Sequence, residues 1–208
     1  MKMKYILTSL AAVAAIGMTG CWSSNSDDDA KAYNGVFVDD AVQGVTFNCG
    51  SVSGVTDAGG HFGTCPAGST VEFSIGNLVL GSSSATNDGV FFVTDIVGVA
   101  RGDISNETVT KIAVVLQSLD SDGDPSNGIT VPSEAAAEIN KETEPGTNLQ
   151  EANDFDVVEA ITIVTEELKN KYPDMEVVDP EDAQKNLANS EKKIKDGDFK
   201  PKDVTGSN

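Results

Sequence analysis

Residues 120–129 read Asp120-Ser121-Asp122-Gly123-Asp124-Pro125-Ser126-Asn127-Gly128-Ile129. Three carboxylates at alternate positions, an amide oxygen three residues on and a glycine to turn the backbone set hard oxygen donors around one point. Such donors suit a hard divalent cation. Calcium takes six to eight oxygen ligands in irregular geometry, whereas magnesium demands a stricter octahedron. Asp120, Asp122, Asp124 and Asn127 are therefore the candidate calcium ligands, to be completed by backbone carbonyls and a carboxylate from elsewhere. The competing reading is an acidic turn that ends a helix, with proline and glycine as its breakers.

Other chemistry-bearing residues are scarce. His61 is the single histidine, and the cysteines are Cys21, Cys49 and Cys65. One histidine removes most triads and transition-metal sites, and the absence of CxxC argues against zinc. The sequence holds no GxSxG, no HExxH and no phosphate-binding glycine loop. Paired carboxylates arise by chance among 33 acidic residues. No catalytic residue is assigned, and a non-enzymatic role is expected. The formal net charge of −19, from 14 basic and 33 acidic side chains, excludes nucleic acid as a partner, because phosphate binding needs a basic patch. An acidic balance is compatible with divalent cations.

The first residues bear on where this chemistry happens. Lys2 and Lys4 precede an apolar run over 5–18 broken by Thr8, Ser9 and Gly17. At about 14 residues it falls short of the roughly 20 needed to cross a bilayer and fits a signal-peptide core. Met18-Thr19-Gly20-Cys21 then resembles a bacterial lipobox, with Met18 where that family prefers Leu. The resemblance implies cleavage after residue 20 and a diacylglycerol on Cys21. The other reading is an ordinary signal peptide that ends near a cysteine. Trp22 in the next position implies export to the outer membrane rather than retention at the inner one. Residues 21–34, with Asp27-Asp28-Asp29, lack apolar periodicity and read as a flexible stalk. Removing Lys2 and Lys4 with the signal leaves 12 basic against 33 acidic side chains, a balance of −21.

Export bears on the two remaining cysteines. An even pair in an oxidising compartment usually bridges, so Cys49–Cys65 is the expected disulfide. Closing a loop of about 16 residues stabilises by about 3 kcal/mol in the chain-entropy model.

Two kinds of element must position these groups. Over residues 35–84, short alternating runs are punctuated by turns, among them Asp57-Ala58-Gly59-Gly60 and Pro66-Ala67-Gly68-Ser69. Strands are expected at 35–39, 42–49, 52–56, 61–65, 70–75 and 77–81, as a small antiparallel β-sandwich. In "VDDAVQGVTFNCGSVSGVTDAGGHF" and "CPAGSTVEFSIGNLVLGS" this rhythm is similar to carboxypeptidase-regulatory, transthyretin-like modules. That resemblance implies a fold and a structural or binding role, with Asp57, Gly60 and Phe62 as turn and core residues.

Residues 85–194 read as a helical region. Residues 90–99 are apolar and of undecided type. Val109, Ile112, Ala113, Leu116 and Leu119 mark a helix capped by Ser105 or Asn106. A short helix capped by Ser133 is expected from residue 132, a longer one from Asp154 or Asp156 up to Tyr172-Pro173, and a last over 180–194, with a disordered tail over 195–208. "LDSDGDPSNGI" resembles DxDxD calcium loops of EF-hand-like and thrombospondin-repeat-like kinds. It departs from the EF-hand, with Pro125 at the sixth position and Val131 where the bidentate Glu belongs.

The expected class is thus α+β, a small antiparallel β-sandwich module followed by a helical region. The expected role is a calcium-stabilised, lipid-anchored surface module for adhesion, scaffolding or self-assembly, with a membrane anchor and a protein partner or further copy. The other candidate is a periplasmic or surface ligand-binding lipoprotein.

Overall fold

The computed structural model describes residues 32–202. The expected signal peptide, the lipidation site expected at Cys21, the expected stalk up to residue 31 and the part of the expected tail beyond 202 lie outside them. The fold is α+β. Eight strands come first: β1 (Tyr33–Val38), β2 (Val42–Gln43), β3 (Thr46–Cys49), β4 (Val52–Val55), β5 (His61–Cys65), β6 (Thr70–Ile75), β7 (Leu78–Ser84) and β8 (Val90–Phe92). There follow α1 (Val93–Val97), α2 (Glu107–Ser118), β9 (Ile129–Thr130), α3 (Ser133–Glu142), β10 (Thr147–Asn148), α4 (Asp154–Leu168) and α5 (Pro180–Asp196).

The strands form a three-stranded sheet in the order β5-β1-β8, a five-stranded sheet β10-β7-β6-β3-β4, and the small pair β2-β9. Alternation explains which faces meet. In β6, Val71, Phe73 and Ile75 are buried while Thr70 and Glu72 are exposed, the period of two that a half-buried strand requires. The two larger sheets close on a cluster of aromatic rings. Phe37 stacks on Phe73 at 4.2 Å between centroids. Phe62 meets Phe73 edge-on at 5.5 Å and Phe91 at 5.0 Å. Pairs of this kind contribute about 0.5–1.5 kcal/mol each beyond their buried area.

The Cys49–Cys65 disulfide is formed, with Cα atoms 5.6 Å apart. Cys49 ends β3 in one sheet and Cys65 ends β5 in the other, so the bond ties the two layers together. Both residues are fully buried. The turn before β5 is built by Asp57, whose Oδ1 accepts from the backbone N–H groups of Gly59 (2.9 Å) and His61 (3.0 Å). Gly60 there has φ +74°, and a Cβ would stand 2.5 Å from the Phe37 carbonyl oxygen. Only glycine fits both demands.

Several boundaries differ from the sequence expectation. Tyr33 and Asn34, expected in the stalk, belong to β1. The sandwich is not closed by residues 35–84 either. β8 pairs parallel with β1 (Phe37↔Phe91), β9 with β2 (Val42↔Ile129) and β10 with β7 (Thr147↔Leu78). A single core cluster runs from Val36 to Leu187 through both sheets and the helices. These parallel additions satisfy backbone edges that residues 35–84 alone would leave open. Residues 90–99 divide into β8 and α1, the latter ended by Gly98 at φ +81°.

Residues 195–202 correct the expected tail. α5 continues to Asp196, Phe199 packs against the core, and the Lys200 carbonyl contacts His61 Nε2 at 3.1 Å. Ser133 is not a cap; α3 follows Pro132 with no side-chain cap. Asn106 does cap α2, accepting from Thr108 and Val109. Asn153 and Asp179 cap α4 and α5 in the same way. α2 is the central helix, with nine of its 12 residues buried, and it packs against α1, α4 and α5.

Candidate functional site

The acidic loop begins where α2 ends in the core. Leu119 and Asp120 are both buried, Asp120 to 1% exposure. Asp120 Oδ1 accepts from the Thr130 backbone N–H at 2.8 Å, and the Ser121 N–H donates to the Thr130 carbonyl at 3.0 Å. The loop is thereby closed onto β9. Its far side rests on the connection after α4, where Gly123 at φ +69° would place a Cβ 2.4 Å from the Asp174 carbonyl oxygen.

The four proposed ligands separate into two roles. Asp120 and Asp122 lie within hydrogen-bonding reach of each other. Asp124 turns inward on its own backbone, with Oδ1 accepting from Ser126 N–H (3.2 Å) and Ser126 Oγ–H (2.6 Å). It caps the short 3-10 turn Pro125–Asn127. Asn127 points its amide nitrogen, not its oxygen, at Asp122, with Nδ2 donating to Oδ2 at 3.3 Å. Asp122 Oδ1 accepts from the Asp124 N–H at 3.1 Å. Among the described residues, no three carboxylate, imidazole or thiol side chains gather as a metal-holding group. What the loop does bring together is one carboxylate pair.

That pair is electrostatically uneven. Asp120 Oδ2 is buried with no hydrogen-bond partner, a state that costs about 1–3 kcal/mol. Burial, with the Asp122 carboxylate beside it, pushes the Asp120 carboxyl up to about 7. Asp122 is shifted downward, chiefly by the Asp124 N–H, with Asn127 and Asp120 adding to it. Two carboxylates so placed repel each other when both are ionised, which favours a proton on the buried one.

A second cluster escaped sequence reasoning. Asp39 is fully buried, and Gln117 Nε2 donates to both of its oxygens at 3.2 Å. Gln117 Nε2 also donates to the Ala183 carbonyl at 3.2 Å, and Gln117 Oε1 accepts from Asn186 Nδ2 at 3.0 Å. Burial raises the Asp39 carboxyl well above its ordinary range against the lowering effect of Gln117, and neighbouring Asp40 raises it further. Asp40 adopts φ +43°, its N–H donates to Ser190 Oγ at 3.1 Å, and its carboxylate pairs with Lys193. Lys193 Nζ donates as well to the Ser126 carbonyl at 3.0 Å. Lys193 therefore links the turn after β1 to the acidic loop. The one available signal was a pair of acids directly after an apolar strand, Val36-Phe37-Val38-Asp39-Asp40.

His61 is a positioning residue of the β5 edge. Its Nδ1 lies 3.0 Å from Asp57 Oδ1, while Nε2 faces the Lys200 carbonyl. Asp57 is held well below the ordinary carboxylate range: partial burial acts to raise it, and hydrogen bonds from Lys202, Gly59 and His61 outweigh that. Both residues thus clamp the C-terminal segment onto the sandwich. Comparison with protein-family models, curated proteins and solved structures finds no match to this chain.

Proposed function

We propose that this chain is an exported, lipid-anchored module of the bacterial outer membrane, with a structural or partner-binding role and an acidic loop stabilised by calcium. The observation that carries the cation reading is the buried, unpartnered Oδ2 of Asp120 beside Asp122. A cation there would satisfy that oxygen and remove the repulsion between the two carboxylates. Calcium also takes backbone carbonyl oxygens as ligands, which a loop of this kind could add. In this reading Asp120 and Asp122 are the direct ligands, and Asp124 and Asn127 shape the loop around them. The location of the loop gives the ion a structural task, since it joins α2 to β9 and touches α5 through Lys193.

The role as a surface module draws on the lipobox-like Met18-Thr19-Gly20-Cys21 and on the disulfide that staples the two sheets. Adhesion, scaffolding and self-assembly are the forms of that role.

The test is a calcium titration of the thermal midpoint, with isothermal calorimetry in parallel. Millimolar calcium should raise the midpoint, because extracellular modules bind at about 10⁻⁴–10⁻³ M, and Asp122→Ala should remove the effect. Absence of both heat and stabilisation would sink the cation reading. Incorporation of labelled palmitate, lost in Cys21→Ser, tests the anchor separately. Calcium-dependent oligomers in size-exclusion chromatography would favour self-assembly over capture of a different partner.

A further inference from the structure

Residues 199–202 cross the three-stranded sheet β5-β1-β8, and each strand of it meets them. The Lys200 carbonyl faces His61 Nε2 of β5 at 3.1 Å. The Lys202 carbonyl accepts from Asn34 Nδ2 of β1. Pro201 lies against Gly89, the residue before β8, where a Cβ would stand 2.7 Å from the proline Cγ. Phe199 is half-buried and packs against the core. Val36 pairs with His61 on one side and with Val90 on the other, so the contacts at His61 and beside Val90 lie along one row of the sheet.

Imidazole is the side chain whose charge changes between about pH 5 and 8, and the placement of this one makes its charge matter. Both ring nitrogens of His61 face acceptors: Nδ1 lies 3.0 Å from Asp57 Oδ1, and Nε2 faces the Lys200 carbonyl. A neutral imidazole carries one N–H and one lone pair, whereas the imidazolium donates from both nitrogens. Either neutral tautomer therefore leaves a lone pair pointing at an oxygen. The charged groups that face the ring are two. The Asp57 carboxylate comes from the turn before β5, and the Lys202 ammonium, from the segment itself, pairs with the other Asp57 oxygen. β1 contributes Asn34 and Val36, which carry no charge. Asp57 is held well below the ordinary carboxylate range, so it stays ionised while the ring gains or loses its proton.

We propose that residues 199–202 form a strap that His61 latches through a proton: the imidazolium donates to Asp57 and to the Lys200 carbonyl at once, and its deprotonation frees the segment from the sheet. Proton uptake and strap docking then favour each other reciprocally, as linkage requires. The latch shares no residue with the acidic loop, so it stands independently of the cation reading.

The experiment follows chymotrypsin cleavage after Phe199 in the full chain at about pH 5.5 and about pH 8, on either side of imidazole titration. Each rate is divided by that of a free peptide of the same local sequence at the same pH. Cleavage requires the opened segment. In the wild type, the normalised rate should rise on the order of tenfold from the lower to the higher pH, as one charge-assisted hydrogen bond is lost. In His61→Gln, which has no titrating ring, the two rates should agree within about twofold. That variant keeps Asp39 and Asp120, so a pH response arising from those buried carboxyls would survive in it and overturn the inference. Lys202→Gln should speed cleavage at both pH values and keep the wild-type ratio. A wild-type rate that does not change with pH would overturn the inference as well.

Discussion

Asp39 and Gln117 stand 78 residues apart in the chain and meet in the core, where one amide nitrogen donates to both carboxylate oxygens at 3.2 Å. β1, α2 and α5 are joined at this point, because Gln117 also reaches Ala183 and Asn186.

The pH dependence follows from the raised carboxyl of Asp39. Folding favours its protonated form, so its contribution is fully present below the unfolded value of about 3.8 and is lost as pH rises through the higher folded value. The Asp39 contribution should therefore decline as pH rises from acid to neutral, against the opposite trend of depressed carboxylates such as Asp57. Asp39→Asn, with no charge to bury, should lack that decline, so its stability in urea melts should diverge from wild type over that range. Parallel curves for the two proteins would refute this account.

Asp120→Asn separates the proton from the cation. The amide keeps an oxygen for the Thr130 N–H and offers a donor to Asp122, which satisfies the orphaned position. Without calcium, the variant should be more stable than wild type by about 1–3 kcal/mol at pH 8. The gain should shrink as pH falls below about 7, where wild-type Asp120 takes up its own proton. The calcium response should disappear in the same variant. Chemical denaturation with and without chelator measures both effects.

The disulfide should resist reduction until the protein opens, since both cysteines are fully buried. Replacing both by serine removes the tie between the sheets and should lower stability by about 3 kcal/mol. Thiol labelling against denaturant concentration distinguishes this from a bond that is accessible in the folded protein.

Phe73 and Phe155 provide a contrast in packing. Phe73 lies among Phe37, Phe62 and Phe91, and Phe73→Ala should cost about 3–5 kcal/mol. Phe155→Ser removes an exposed ring and should change stability by about 0.5 kcal/mol or less. The two midpoints in one denaturant series decide it.

Local rules were enough for much of this molecule. Alternation in Thr70–Ile75 marked a strand and its buried face, helical spacing marked α2 and narrowed its cap to Ser105 or Asn106, and Asp57 with Gly60 marked a turn. These signals act over a few residues, so they can be read in order along the chain. An even pair of cysteines sufficed for the disulfide. The tertiary structure alone decided that β8, β9 and β10 complete the sheets in parallel, because those pairings join backbone edges remote in the chain. It decided too that Asp124 and Asn127 serve the loop's own hydrogen bonds while Asp120 keeps a buried oxygen unpaired. The burial of Asp39 depends on which helices close over it. Periodicity shows which face is apolar; only the packed neighbours determine what covers that face and what is left open.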